Sequence, residues 1–439
     1  MKKIIYDQLF AYLSKNNLLY ELQSGFRPSY STDSCLINLC DYILKENDKG
    51  NYSGMIIIDL QKAFDTVQHS ILLEKLKAIG MEEIAVQWFQ SYLTGREQLV
   101  DISGTFSEKC SVECGVPQGS ILGPLLFLLY VNDMRAAVKC KLLLYADDSA
   151  LIVSGKDVSV IEQTLESELE SLNKWLIDNR LSLHLGKTES ILFGTKRKIS
   201  KCKEMNITCH GRSIDAKSEI TYLGLTLDQT LSGSSIVGRI VSKCSSKLAF
   251  LYRQAGVLDF ETRRLLTAAF TQCHFDYACA AWYSNLSIKL QSKLQIMQNK
   301  IIRYLHHAPP RTHLSLSHFK SAKMLPVEIR VKQIKLNHMH RITHGNAPSY
   351  MAADMTLLGS SGHNTRSGNL SYFVPRVNSS GQSSFMYTGV REWNKLTTNL
   401  QSISEINSFK ANIKQFLWLD LENQDNSVYF YPHFSSICT

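Results

Sequence analysis

The chain is 439 residues long, 44% hydrophobic and 20% charged, a composition that argues against disorder or a fibrous repeat and leaves room for two or three hydrophobic cores. Its formal net charge is +9, but 17 Lys or Arg against 4 Asp or Glu between Arg239 and Arg341 give that stretch +13 and leave −4 for the rest. A basic region beside an acidic one suits an enzyme that handles a polyanion, since phosphate binding rests on sequence-independent charge; a solvated lysine-rich helical surface would give the same count.

In chain order, residues 4 to 19 carry Ile5, Leu9, Tyr12 and Leu13 at helical spacing, and Gly25-Phe26-Arg27-Pro28 breaks the pattern. Asp48-Lys49-Gly50-Asn51 reads as a turn. The run Met55-Ile56-Ile57-Ile58 has the length and β-branching of a buried central strand, and it closes on Asp59. Helices are expected over Ser70 to Gly80 and Ile84 to Tyr92, and strands near Gln98 to Ile102 and Cys110 to Glu113. Gly123-Pro124 marks a loop entering a buried helix over Leu125 to Val131, far short of the roughly 20 residues of a membrane span. Leu142 to Leu144 and Ala150 to Val153 flank Tyr145-Ala146-Asp147-Asp148 as the arms of a hairpin. Val158 to Leu172 is amphipathic through Ile161, Leu165, Leu169 and Leu172.

Beyond Thr230 helical patterns dominate. In Ile288 to Leu305, Lys289, Lys293, Lys300 and Arg303 fall within roughly 80° on a helical wheel, while Leu290, Leu294, Met297, Ile301 and Leu305 occupy the adjacent arc. One face can pack and the next can lie along phosphates. Gly359 to Ser384 is rich in Ser, Gly and Asn and reads as loops or a linker before a final helix over Ile403 to Leu419. The sequence shows no internal repeat.

Asp147 and Asp148 are adjacent carboxylates on a tight turn. Such a pair is ordinarily a solvated turn, but a divalent cation would offset its repulsion. With Asp59, three carboxylates from two neighbouring strand ends would make a site for two Mg²⁺ ions, the arrangement used for in-line nucleotidyl transfer. The 11 cysteines are odd in number and scattered, and Met1-Lys2-Lys3-Ile4 opens no signal peptide, so a reduced, intracellular chain is expected. Cys110-x3-Cys114 and Cys202-x6-Cys209-His210 find no matching second pair at zinc-knuckle or finger spacing.

Three further segments accompany the acids: Gln23-Ser24-Gly25-Phe26-Arg27-Pro28 with Ser31-Thr32, Asp59-Leu60-Gln61-Lys62-Ala63-Phe64-Asp65, and Gly115-Val116-Pro117-Gln118-Gly119-Ser120-Ile121-Leu122-Gly123-Pro124. In this order and spacing they resemble the reverse transcriptase domain of a non-LTR (LINE-type) retrotransposon, over about residues 3 to 230. Leu325-Pro326-Val327 and Val390-Arg391-Glu392-Trp393-Asn394-Lys395-Leu396 resemble the C-terminal region of animal elements of the Jockey and chicken-repeat type.

The resemblance implies an α+β right-hand polymerase: partial fingers over 1–50, a ferredoxin-like palm with a fingers insertion over 51–230, a helical basic thumb over 231–310, and a mainly helical C-terminal region over 311–439. It implies an RNA-directed DNA polymerase acting on an RNA template, a DNA primer and deoxynucleoside triphosphates, with two Mg²⁺ ions, or Mn²⁺, on Asp59, Asp147 and Asp148. Lys187, in Leu183-His184-Leu185-Gly186-Lys187-Thr188, resembles a general acid for pyrophosphate. Arg27 resembles a fingers cation for the triphosphate, and Phe64 a steric gate against a ribose 2′ hydroxyl. Gln118, Gly119 and Tyr145 resemble residues beside the incoming nucleotide. Tyr222-Leu223-Gly224 resembles a primer grip, and Lys289, Lys293, Lys300 and Arg303 would join Tyr222 and Gly224 in holding nucleic acid. Complete members carry an endonuclease domain and further fingers residues ahead of this pattern, so the chain reads as a truncated genomic copy or an incomplete gene model. The rival reading is a noncatalytic remnant that binds RNA through the basic thumb. No membrane association is expected, no ribonuclease H carboxylate run is seen, and oligomeric state is left open.

Overall fold

In the computed structural model, which describes residues 1–202, 205–361 and 370–423, the isoleucine run forms strand β1 (Tyr52–Ile58), buried along nearly its whole length as a strand apolar on both faces must be. It belongs to the first of two compact units, residues 1–35, 52–192 and 201–218. The helices here are α1 (Lys2–Lys15), the start of α2 (Thr32–Asp48), α3 (His69–Ala78), α4 (Glu83–Leu93), α5 (Gly123–Val131) and α6 (Val158–Asp178). The strands after β1 are β2 (Glu97–Gln98), β3 (Asp101–Ile102), β4 (Thr105–Phe106), β5 (Cys110–Ser111), β6 (Lys141–Tyr145), β7 (Asp148–Gly155), β8 (Glu189–Phe193), β9 (Ile207–Cys209) and β10 (Arg212–Ala216).

Among the described residues six strands form one sheet in the order β6-β7-β1-β8-β10-β9, with β7 antiparallel to both β1 and β6. Its first four members have the strand order of a ferredoxin-like split βαβ, as the resemblance implied. Helix α6 buries Ile161, Leu165, Leu169, Leu172 and Leu176 and packs on β1 and β7. Helix α5 is buried on every side, which accounts for its unbroken apolar sequence.

Some boundaries differ from the sequence pattern. Helix α1 stops at Lys15, since Asn17 takes a left-handed φ of 51°. The strands expected near 98–102 and 110–113 are two short exposed ladders, β2 with β5 and β3 with β4, outside the main sheet. Strands β9 and β10 carry no clear sequence signal.

The second unit comprises residues 36–51, 193–200 and 219 onward, so most of α2 belongs to it. A hairpin of β11 (Glu219–Tyr222) and β12 (Leu225–Asp228) leads into helices Ser234–Arg253, Phe260–Thr267, Ile288–Leu305, Val327–Thr343, Phe385–Asn394 and Ile406–Glu422. The Ile288–Leu305 helix has the bounds read from its heptad-like spacing and packs on both Ser234–Arg253 and Val327–Thr343. Val327–Thr343 in turn packs on Phe385–Asn394 and Ile406–Glu422. The thumb and C-terminal segments, expected as separate parts divided at 310, therefore share one core, which includes Trp393, Phe385 and Phe409. The expected linker from Gly359 to Ser384 falls partly at 362–369, outside the described residues. Among the described residues no helix is long and apolar enough to cross a membrane.

Candidate active site

The sheet register assembles the acidic site. Ile58, the last residue of β1, pairs with Ser149 of β7, so the next residue on each strand, Asp59 and Asp148, flanks the same strand end. Tyr145 pairs with Asp148 across the hairpin, leaving Ala146 and Asp147 as a two-residue loop in which Ala146 takes a φ of 57°. The Asp148 carboxyl is held above the ordinary carboxylate range, first by loss of surrounding water and then by the negative charges of Asp147 and Asp59, although the residue still reaches solvent.

A second segment closes on Asp59. The Gln61 N–H donates to the Ser182 carbonyl at 3.0 Å and the His184 N–H to the Asp59 carbonyl at 2.9 Å. This pairing carries the 3-10 turn Leu185–Lys187 to the strand end, where Lys187 Nζ lies 3.5 Å from Asp59 Oδ2. Asp59, Asp147, Asp148 and Lys187 thus come together from three stretches of sequence.

The loop opening at Gly115 is fixed against the segment after Asp59. Gly115 has a φ of 83°, and a Cβ there would stand 2.8 Å from the Asp65 carbonyl oxygen, so only glycine fits. Its N–H donates to the Val67 carbonyl at 2.7 Å, and its carbonyl accepts from Arg96 Nη2 at 2.9 Å. The Val116 N–H donates to the Phe64 carbonyl at 3.0 Å, and Gln118 Nε2 donates to Asp65 Oδ1 at 2.8 Å. Gly119 is exposed, with nothing within 4 Å of the position a Cβ would take. The half-exposed Phe64 ring stacks on Phe127 with centroids 4.3 Å apart and meets Phe26 edge-on at 6.0 Å.

Arg27 is half-buried: its Nη1 donates to the Tyr20 carbonyl at 2.8 Å and the Gln23 carbonyl at 3.1 Å, and its guanidinium lies over the Tyr30 ring. In this arrangement it closes the turn that holds Gln23. Sequence reasoning singled out this segment for its arginine and missed Gln23, whose signal is its place two residues before Gly25 in a motif brought under the acidic turn.

In the second unit the Tyr222 side chain is only 1% exposed, so the outward-facing element is the backbone of the Leu223-Gly224 turn, both residues at positive φ. The Tyr277 hydroxyl donates to the Leu223 carbonyl and tethers that turn. Lys289, Lys293 and Lys300 are exposed, whereas Arg303 is half-buried and donates from Nε to the Thr312 carbonyl at 3.1 Å. Several other positive charges are likewise engaged by carboxylates or by the core, the Lys320 pair being an exposed one. Arg330 pairs with Asp276 at 2.8 Å, Lys332 with Glu392 at 3.1 Å and Lys320 with Glu422, while Arg263 and Lys335 are buried. A row the sequence reading did not single out, Arg239, Lys243 and Lys247, is exposed at intervals of one helical turn on Ser234–Arg253. Arg239 and Lys243 line a groove of about 410 Å³ with Gly224, His274, Tyr277 and Trp282.

Among the described residues no three His, Cys, Asp or Glu side chains are gathered as a ready metal cage. The crowded carboxylates nevertheless fit a hard divalent cation, because Mg²⁺ is commonly held by one or two carboxylates together with substrate phosphates and water, and the Asp148 carboxyl is raised by burial and then by the charges of Asp147 and Asp59 beside it.

A family model described as "Reverse transcriptase (RNA-dependent DNA polymerase)" matches residues 1–227. The chain is similar to the "Probable RNA-directed DNA polymerase from transposon BS" of Drosophila melanogaster, 27% identical over 322 residues that cover 70% of this chain and 35% of that protein. It is also similar to the "RNA-directed DNA polymerase from mobile element jockey" of Drosophila funebris, 25% identical over 322 residues, 70% of this chain and 34% of that protein. The "Probable RNA-directed DNA polymerase from transposon X-element" of Drosophila melanogaster is 24% identical over 315 residues, 69% of this chain and 34% of its own length. The aligned part is about a third of the length of each of these relatives.

Proposed function

We propose that this chain, which belongs to the reverse transcriptase (RNA-dependent DNA polymerase) family, extends a DNA primer on an RNA template with deoxynucleoside triphosphates, as the polymerase of a non-LTR retrotransposon. The observation that carries the reading is the register placing Asp59 and Asp148 at one strand end, with Asp147 on the adjoining turn and its charge acting on Asp148.

Asp59, Asp147 and Asp148 would hold two Mg²⁺ ions, or Mn²⁺. When bound, such ions lower the pKa of the primer 3′ hydroxyl and neutralise the triphosphate and departing pyrophosphate. The chain's own groups supply the rest. Lys187, whose ammonium lies beside Asp59, would give a proton to pyrophosphate. Phe64, held between Phe26 and Phe127, would act as the steric gate against a ribose 2′ hydroxyl. The open backbone at Gly119 and the Gln118 side chain anchored on Asp65 shape the nucleotide floor. The exposed turn at Leu223-Gly224 and the lysines of Ile288–Leu305 would grip primer and template.

The test is primer extension on an RNA template by the purified chain with Mg²⁺, beside Asp147→Asn. Synthesis by the wild type and its loss in Asp147→Asn, with RNA binding nearly unchanged, is the expected result. Normal extension by Asp147→Asn would remove the metal role from that carboxylate and overturn the reading.

A further inference from the structure

Two adjacent acids on a two-residue turn do not hold their own direction. Their mutual repulsion favours any backbone state that separates them, and Ala146, the residue before them, stands at a φ of 57°, which alanine disfavours. The two-residue loop demands this conformation at a cost to alanine, and the side chain that supports it from outside the hairpin is Gln23.

Gln23 is 2% exposed and lies beneath the turn. Its Oε1 accepts the Ala146 N–H at 2.9 Å and the Gly25 N–H at 2.9 Å, while its Nε2 donates to the Ala146 carbonyl at 3.3 Å. One carboxamide therefore engages both polar backbone groups of the left-handed residue. The two N–H donors on a single side-chain atom also fix which end of the amide is oxygen. The backbone supports the same placement: the Ser24 N–H donates to the Leu144 carbonyl at 2.7 Å, and the Leu144 N–H to the Leu22 carbonyl at 3.1 Å, so residues 22 to 24 run along β6 into the turn. Gly25 completes the fit, because a Cβ at that position would stand 2.2 Å from the Ala146 nitrogen.

We propose that Gln23 is a positioning residue for catalysis: its carboxamide locks Ala146 in the left-handed conformation and so aims the carboxylates of Asp147 and Asp148 at the strand end that carries Asp59. The role rests on the polymerase reading and acts through those carboxylates, since Gln23 itself is buried away from substrate. A buried carboxamide held by three backbone hydrogen bonds in this way has little alternative geometry, so removing it releases the turn rather than shifting it slightly. Ala146→Gly supplies a direct check, because glycine adopts positive φ freely and needs less help from a clamp.

The experiment measures Mn²⁺ affinity by electron paramagnetic resonance, kcat for primer extension, primer-template affinity and thermal midpoint for the wild type, Gln23→Met, Gly25→Ala, Gln23→Met with Ala146→Gly, and Asp147→Asn. Gln23→Met should lower kcat about tenfold or more and weaken Mn²⁺ binding several-fold, with primer-template affinity unchanged. Adding Ala146→Gly should recover a substantial part of both losses, which a merely structural role for Gln23 would not allow. Gly25→Ala keeps the carboxamide and drives a methyl group into Ala146, so it should give the same pair of losses and serves if Gln23→Met does not fold. Wild-type Mn²⁺ affinity and kcat in either folded variant, or no recovery on adding Ala146→Gly, overturns the assignment. A wild type whose Mn²⁺ binding and extension do not respond to Asp147→Asn overturns the polymerase reading instead, and the clamp's catalytic role with it.

Discussion

Lys187 Nζ lies 3.5 Å from Asp59 Oδ2, an ion pair formed where the Ser182-to-His184 segment runs beside the end of β1. Both side chains reach solvent, so screening and side-chain entropy limit what the pair adds to stability, typically to about 1 kcal/mol or less. On the proposed function its importance would be chemical, because the pair would station a proton donor beside one of three clustered acids. Lys187→Gln should therefore leave the thermal midpoint within about 2 °C of the wild type while lowering kcat for nucleotide addition by about tenfold to a thousandfold. Unchanged kcat in the folded variant would make Lys187 a solvated surface lysine.

Sugar choice should depend on one ring. Phe64 is fixed by stacking on Phe127 and by the edge of Phe26, so it cannot easily swing aside. Phe64→Val should raise ribonucleotide use relative to deoxyribonucleotide use by about tenfold to a hundredfold, equivalent to roughly 1 to 3 kcal/mol of steric discrimination. The measurement compares incorporation of the two nucleotide types by both proteins on one template. An unaltered ratio in an active variant would make Phe64 an ordinary core residue.

Binding of nucleic acid by the second unit should follow its exposed cations. Replacing Lys289, Lys293 and Lys300 together with Ala should weaken binding nearly equally across sequences and reduce the magnitude of the logarithmic salt slope by about two to three, if each lysine meets one phosphate. Arg303→Ala alone should move the slope little, because that guanidinium is engaged with the Thr312 carbonyl. An unchanged slope in the triple variant would assign those lysines to a solvated face.

Stability should vary with pH through a polar group in the core of the second unit. Asp41 of α2 accepts the N–H groups of Phe385 and Met386 at 2.7 and 2.8 Å, and burial pushes its carboxyl up to about 6. Lys335 Nζ donates to Thr388 Oγ1 at 2.8 Å, and burial pushes its ammonium down to about 8. The raised carboxyl favours the folded state fully below its ordinary value near 3.8 and loses that contribution as pH rises through about 6. The depressed lysine contributes above its ordinary value of 10.5 and loses that contribution as pH falls through about 8. Both contributions are therefore lowest between pH 6 and 8. Asp41→Asn removes the titration but offers one acceptor oxygen to two buried N–H donors, so the variant should be less stable than the wild type by about 1 to 3 kcal/mol near pH 4, and that deficit should shrink by up to about 3 kcal/mol toward pH 7 as the wild type loses its protonated carboxyl. Parallel denaturation curves across that range would show that Asp41 does not titrate in this way.

What the sequence determined by itself is what local spacing can encode. A short β-branched apolar run reads as a buried strand, and an apolar helix without a polar face must be internal; β1 and the nine-residue α5 are so. The Lys and Leu arcs of Ile288–Leu305 set that helix's bounds, and the motif order around Asp59 and Asp147 disclosed the family. Spacing also showed which acids end strands. It could not show that Gln23 would brace the turn between them, because a glutamine's hydrogen-bond partners are chosen only when a distant segment is brought alongside. Nor could it sort the positive charges, since a lysine or arginine reads the same whether it meets water, as Lys289 does, or a carboxylate and the core, as Arg330 and Lys335 do. Pairing, burial and the shifted carboxyls of Asp41 and Asp148 depend on neighbours remote in sequence, and only the tertiary structure supplies those neighbours.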